Sequence, residues 1–154
     1  MSSHAATVAW KLDGGDFLKR RYSRVHRLIF GDGVEIAGSA SPSVVPLPFS
    51  SHAAVDPEAA FTAALSACHM LWFLDHAARA GLVVGAYEDH AVGALGRGAD
   101  GRMAMVEVIL RPAISFTGEK TPTPAEIEAL HAAAHHDCFI ANSVTTKVMV
   151  QAPL

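Results

Sequence analysis

Two cysteines, Cys68 and Cys138, are the residues in this chain whose chemistry is most reactive. A thiolate is both a nucleophile and a metal ligand, and a pair of thiols can pass to a disulfide and back. Two cysteines in 154 residues cannot form the dense disulfide scaffold of small secreted domains. In a reducing compartment such a pair is more often catalytic or metal-binding than structural. Free cysteine is also commonly a small buried hydrophobe, and that reading stands beside the reactive one. Cys68 lies in Ala64-Leu65-Ser66-Ala67-Cys68-His69-Met70, and Cys138 in His135-His136-Asp137-Cys138-Phe139-Ile140-Ala141-Asn142-Ser143.

Histidines offer a competing chemistry. His131, His135 and Cys138 recur at i, i+4, i+7, with His136 and His69 as further donors, and imidazole with thiolate is zinc-compatible ligation. The pattern lacks the second ligand pair of a structural zinc site and the glutamate of a His-Glu-x-x-His helix. A solvated helix face accounts for His131 and His135 equally well, so no metal is expected. No Gly-x-Gly-x-x-Gly follows a strand, and the Gly-Lys-Ser/Thr and Gly-x-Ser-x-Gly motifs are absent. Nucleotide cofactors and serine hydrolysis are therefore unsupported, and no cofactor is expected.

Length and composition bound the setting. The 154 residues amount to one domain, expected over 1–154. Hydrophobic residues make up 51% and charged residues only 18% of the chain, against about 25% charged in an average soluble domain. Apolar surface is thus expected to meet another subunit. A membrane partner is not expected, because the longest apolar stretch, 63–78, is interrupted by Ser66, His69, Asp75 and His76. The N-terminus lacks the basic flank and apolar run of a secretory signal, which predicts a cytoplasmic protein. With 12 Lys+Arg against 15 Asp+Glu the net charge is -3, which supplies no footprint for nucleic acid. A small-molecule partner follows by elimination.

Periodicity and punctuation place these residues on elements. Strands are expected over 6–12, 22–30 and 34–39, the last two joined by a Gly31-Asp32-Gly33 turn. A loop with Pro42, Pro46 and Pro48 leads to Asp56-Pro57-Glu58, where a capping side chain, a proline and an acidic residue announce a helix. That helix runs to about Ala80 and stops at Gly81. Its few, scattered polar residues predict burial nearly all round. Two further strands, 86–95 and 103–115, precede a helix from Thr123-Pro124-Ala125-Glu126, a capping box, to about Asp137. A final strand covers 144–150. The order βββ-α-ββ-α-β is that of an α+β fold. Phe49, Phe61, Met70, Trp72, Phe73 and Phe139 are expected in its core, those near Cys68 also serving to line an apolar pocket.

The spacing Asp56-Pro57-Glu58-Ala-Ala-Phe61-x6-Cys68 resembles the Asn-Pro-Glu-x-Leu-x7-Cys signature that opens the central helix of the OsmC/Ohr family of thiol peroxidases. Cys138, in a Cys-x3-Asn context near a helix end and before the last strand, is similarly placed, and the block order matches over nearly the whole chain. The resemblance implies an OsmC-like fold in an intertwined homodimer. It implies that Cys68 attacks an organic hydroperoxide to give a sulfenic acid, and that Cys138 condenses with it to a disulfide. A dithiol, dihydrolipoyl groups being the family expectation, would reduce that disulfide.

An ordinary cysteine, with pKa about 8.5, is mostly protonated at neutral pH, so attack needs an activating cation. Ser23-Arg24-Val25-His26-Arg27 followed by Gly31-Asp32-Gly33-Val34 resembles Gly-Arg-Asp-Gly-Arg and Asp-Gly-Val of the hydroperoxide-resistance branch. That resemblance makes Arg24 the thiolate-stabilising candidate, held by Glu58. The loop 44–55 contains no arginine, which disfavours the OsmC-proper arrangement. Glu58 and Cys68 stand ten positions apart on one helix, about 15 Å along its axis, too far for their side chains to meet directly. If Glu58 serves the Cys68 site it must come from a second subunit or through a sharp bend, and a shared dimer site is the expectation.

Several positions depart from the family pattern. Asp56 stands for the usual asparagine, His69 and Met70 follow Cys68 where phenylalanine is common, and the segment after Cys138 lacks the usual proline and serine or threonine. From another class, the alternative is a non-catalytic small-molecule-binding or metal-binding homologue with buried or ligating cysteines.

Overall fold

The computed structural model of the chain describes residues 1–151. It contains two compact units, Met1–Ala60 and the chain from Phe61 onward.

In the first unit, strands β1 (Ala6–Ala9), β2 (His26–Phe30) and β3 (Val34–Gly38) form an antiparallel sheet in that order. The β2–β3 hairpin turns through Gly31 and Gly33, whose φ of 47° and 96° suit glycine, and Phe30 pairs with Val34 across it. β1 and β2 are shorter than the alternation predicts. Residues 10–25 leave the sheet because their apolar side chains pack on one another. The Phe17 and Tyr22 rings stack at 4.7 Å, Trp10 meets Tyr22 edge-on at 5.5 Å, and Trp10 Nε1 donates to the Ser23 carbonyl at 2.9 Å. The proline-rich loop is closed at its base by Ser39 N–H to Val55 O and Val55 N–H to Ala37 O.

Helix α1 (Pro57–Arg79) begins where the sequence predicts, the Asp56 carboxylate accepting from the Ala59 N–H at 2.7 Å. It ends at Gly81, whose φ of 71° lets the Leu82 N–H reach back to the Ala77 carbonyl at 2.9 Å. Burial follows one stripe, Thr62, Leu65, His69, Phe73 and Ala77, at helical spacing. The helix is therefore not buried all round: Ala63, Ala64 and Ala67 are exposed and Leu71 is 62% exposed.

In the second unit, what reads as two long strands is a bent hairpin of four: β4 (Val83–Asp89), β5 (Val92–Arg97), β6 (Met103–Leu110) and β7 (Pro112–Thr117). β4 pairs with β7, and β5 with β6, so the hairpin divides between two sheets. The break has a local cause. Asp89 Oδ1 accepts the Arg111 N–H at 2.6 Å in place of a ladder bond, and Pro112 has no N–H to donate. Strand β8 (Lys147–Val150) joins β6 in parallel, the one parallel pairing among the described strands. It starts later than predicted because residues 138–144 turn on themselves, with Asn142 N–H to Cys138 O at 3.0 Å and a single 3-10 turn over Ala141–Ser143.

Helix α2 (Pro124–Asp137) has the predicted capping box: the Glu126 N–H donates to Thr123 Oγ1 at 3.3 Å and the Thr123 N–H to Glu126 Oε2 at 2.8 Å. Phe73, Ala77, Leu82, Leu130 and Ala134 form one buried cluster, and Leu65, Val108 and Leu110 another, so α1 feeds both. Full burial of a side chain such as Phe73 contributes roughly 1.5 to 3 kcal/mol. No helix among the described residues is long and apolar enough to cross a membrane.

Candidate active site

Helix α1 carries Cys68 half-buried, flanking the core stripe of Leu65, His69 and Phe73. Cys138 caps the C-terminus of α2 and is 1% exposed. The two thiols are free and are neighbours, close enough for Cys68 to act on the titration of Cys138. Burial first, and the neighbouring Cys68 thiol second, push Cys138 up to about 11, against an opposing pull from the Ala141 N–H, which donates to its sulfur at 3.4 Å. At neutral pH Cys138 is therefore a thiol, not a thiolate. One reachable sulfur thus lies against one sheltered sulfur.

Cys68 opens into a cleft of about 370 Å³ lined also by Leu71, Trp72, Asp75, Arg79 and Phe139. Positions 68, 71, 72, 75 and 79 share one face of α1 by their i, i+3, i+4 spacing. Trp72 meets Phe139 edge-on with centroids 5.3 Å apart, and Arg79 pairs with Asp75 at 2.9 Å. Phe139, expected in the core, is 68% exposed, because the chain leaves α2 at Cys138 and carries the ring out onto Trp72. The cleft is apolar near the sulfur and charged at its far end.

The histidine face predicted on α2 is divided. His131 turns inward to His69, with Nε2 of His69 and Nδ1 of His131 3.0 Å apart and the rings stacked at 5.3 Å. Cys138 turns to Cys68, and only His135 is solvated as expected. Burial lowers His69 to about 4, with His131 and His135 acting in the same direction, and burial lowers His131 against the pull of Asp89. Among the described residues no three metal-compatible donors converge.

Arg24 and Glu58 belong to the first unit, whereas both cysteines belong to the second. The Arg24 guanidinium donates to the carbonyls of Arg20 and Tyr22 and lies 3.8 Å from the centroid of the Tyr22 ring. Its backbone N–H donates to Phe49 O at 2.9 Å, which fixes the chain at this point. Glu58 stands in the first turn of α1, where a carboxylate favours the helix dipole.

Three features escaped the sequence reading. Ser66 Oγ donates to Asp89 Oδ2 at 2.6 Å, pinning the turn of α1 before Cys68 to the hairpin bend. His76 Nε2 lies 2.9 Å from Asp137 Oδ2, next to Cys138. Leu71 and Arg79 line the cleft, and here a signal existed: both share the helical face of Cys68.

An α+β scaffold with a cysteine on a long helix and a second, buried cysteine against it defines a class of two-cysteine proteins. The chain belongs to the OsmC-like protein family, whose profile matches residues 50–152. Among solved structures it is similar to an OsmC-like protein of unknown function from Vibrio cholerae, at 47% identity, covering 99% of this chain and 100% of that one, with a TM-score of 0.97. An organic hydroperoxide resistance protein from Elizabethkingia anophelis matches at 20% identity and TM-score 0.70, covering 99% and 98% of the two chains. The organic hydroperoxide resistance protein OhrB of Bacillus subtilis matches at 16% identity and TM-score 0.68, with 99% and 98% covered. These last two share the fold. A search of curated protein sequences returned no match.

Proposed function

We propose that the protein is a thiol-dependent peroxidase that reduces organic hydroperoxides to alcohols. The carrying observation is that Cys68, which lines a cleft with Leu71, Trp72 and Phe139, neighbours the buried Cys138. Relatives of the same fold described as organic hydroperoxide resistance proteins support the substrate class.

The Cys68 thiolate attacks the distal oxygen of the hydroperoxide and the O–O bond breaks. The alkoxide leaves with a proton as alcohol, and Cys68 becomes a sulfenic acid. The Cys138 sulfur then attacks the Cys68 sulfur, the S–O bond breaks, and the hydroxyl departs with the Cys138 proton as water. A dithiol, small or dihydrolipoyl, returns the disulfide to two thiols. The Leu71, Trp72 and Phe139 walls favour an organic tail over hydrogen peroxide, each buried methylene contributing roughly 0.8 kcal/mol.

Arg24 acts in this reading as the cation that stabilises the thiolate and Glu58 as its partner, within a cytoplasmic homodimer. Exposed Val8, Leu12, Leu18 and Val34 of the first unit are apolar surface that such a dimer would cover. No cofactor or metal enters the chemistry.

Stopped-flow oxidation by cumene hydroperoxide tests the reading. Wild type should lose both thiols, Cys138→Ser should stop at a trappable sulfenic acid, and Cys68→Ser should stay reduced. Equal thiol loss in wild type and Cys68→Ser would overturn it.

A further inference from the structure

Three residues of α1 spaced one turn apart meet three consecutive residues at the end of α2. Cys68 neighbours Cys138, Trp72 packs on Phe139, and His76 bonds to Asp137 at 2.9 Å. Asp137 uses both oxygens, the other accepting from His136 Nδ1 at 2.8 Å. Those two imidazoles, His136 first, hold its carboxyl below the usual range, so it is an ionised acceptor at neutral pH. His76 is largely buried and lies against the Trp72 ring at 5.9 Å. Within its own segment Cys138 is held by the Asn142 N–H on its carbonyl at 3.0 Å and the Ala141 N–H on its sulfur at 3.4 Å, and the His76–Asp137 bond is what ties that segment to α1 by a charged hydrogen bond.

We propose that the His76–Asp137 pair is a positioning device for the resolving thiol, fixing Cys138 against Cys68 so that the disulfide closes without local unfolding. The physical reason is effective concentration. A thiol held at the end of a helix by a neighbouring anchored residue searches less volume than one at a free chain end. A hydrogen bond to an ionised carboxylate is about twice as strong as a neutral one, enough to matter over a single residue of chain. The inference rests on reading the two cysteines as a redox pair, as above, and does not itself require peroxide as oxidant.

The test is equilibrium with reduced and oxidised dithiothreitol, in which oxidised dithiothreitol and the protein dithiol exchange to reduced dithiothreitol and the protein disulfide. His76→Leu, which removes the donor, should lower the equilibrium constant for the Cys68–Cys138 disulfide about tenfold. His76→Gln, whose amide can still donate to Asp137, should stay within about threefold of wild type. Asp137→Ala reaches the same bond from the other helix and should match His76→Leu. With cumene hydroperoxide, loss of the first thiol should keep its wild-type rate in His76→Leu, while loss of the second slows and sulfinic acid accumulates at Cys68. An unchanged equilibrium constant in both His76→Leu and Asp137→Ala would overturn the proposal, as would failure of the wild type to form the disulfide in oxidised dithiothreitol. If peroxide leaves wild-type thiols intact while the dithiothreitol difference persists, the positioning role stands and the peroxidase reading falls.

Discussion

His69 Nε2 and His131 Nδ1 face each other at 3.0 Å inside the second unit, one ring 1% and the other 6% exposed. One nitrogen must donate and the other accept, so at least one facing nitrogen carries no proton. Burial and the adjoining imidazoles oppose a charge on His69.

This couple predicts acid sensitivity. The folded-state value for His69, about 4, lies below the unfolded value of 6.5. Between these limits the unfolded chain binds a proton that the folded chain refuses, so stability falls as pH drops from about 6.5 to 4 and is flat above. The total effect is roughly 3 kcal/mol. Urea titrations at pH 7, 6 and 5 should show it, and His69→Gln should flatten the slope. An equally steep slope in that variant would refute the assignment.

Cys138 should resist alkylation. With its thiol pushed up to about 11 and its side chain enclosed, it should react with iodoacetamide at pH 8 roughly a hundredfold more slowly than an ordinary cysteine. Peptide mapping over time should find label on Cys68 first. Comparable early labelling of Cys138 would contradict the burial described.

The cleft should select its substrate. Trp72→Ala removes the ring that Phe139 packs on, and kcat/KM for cumene hydroperoxide should fall about tenfold, mainly through KM, with that for hydrogen peroxide little changed. Parallel losses for both peroxides would mean that the wall does not bind the organic tail.

Phe73 should dominate the core. It is wholly buried and packs on His131 at 4.6 Å and Tyr87 at 5.7 Å. Phe73→Ala should cost about 3 to 5 kcal/mol in denaturant unfolding. A loss below about 1 kcal/mol would show that the site collapses around the cavity.

Which parts of this protein were legible in sequence follows from the range of the forces involved. Asp56 before Pro57, Thr123 with Glu126, Gly81, and Gly31 with Gly33 each act within about six residues, and each does in the structure what its type and position predict. The OsmC-like class was legible for a related reason, since the Asp56-Pro57-Glu58 to Cys68 spacing is carried on one helix. Tertiary structure alone decided the rest. Asp89 and Arg111 break two strands through a bond between residues 22 positions apart, which no local periodicity records. His131 and Phe139 exchange their expected environments because His131 finds the buried His69 as its partner and the chain leaves α2 before Phe139. Cys68 and Cys138, 70 positions apart in the chain, could be named from sequence, but their contact depends on the packing of two helices. A side chain's type determines what it can do, and only packing determines what it can reach.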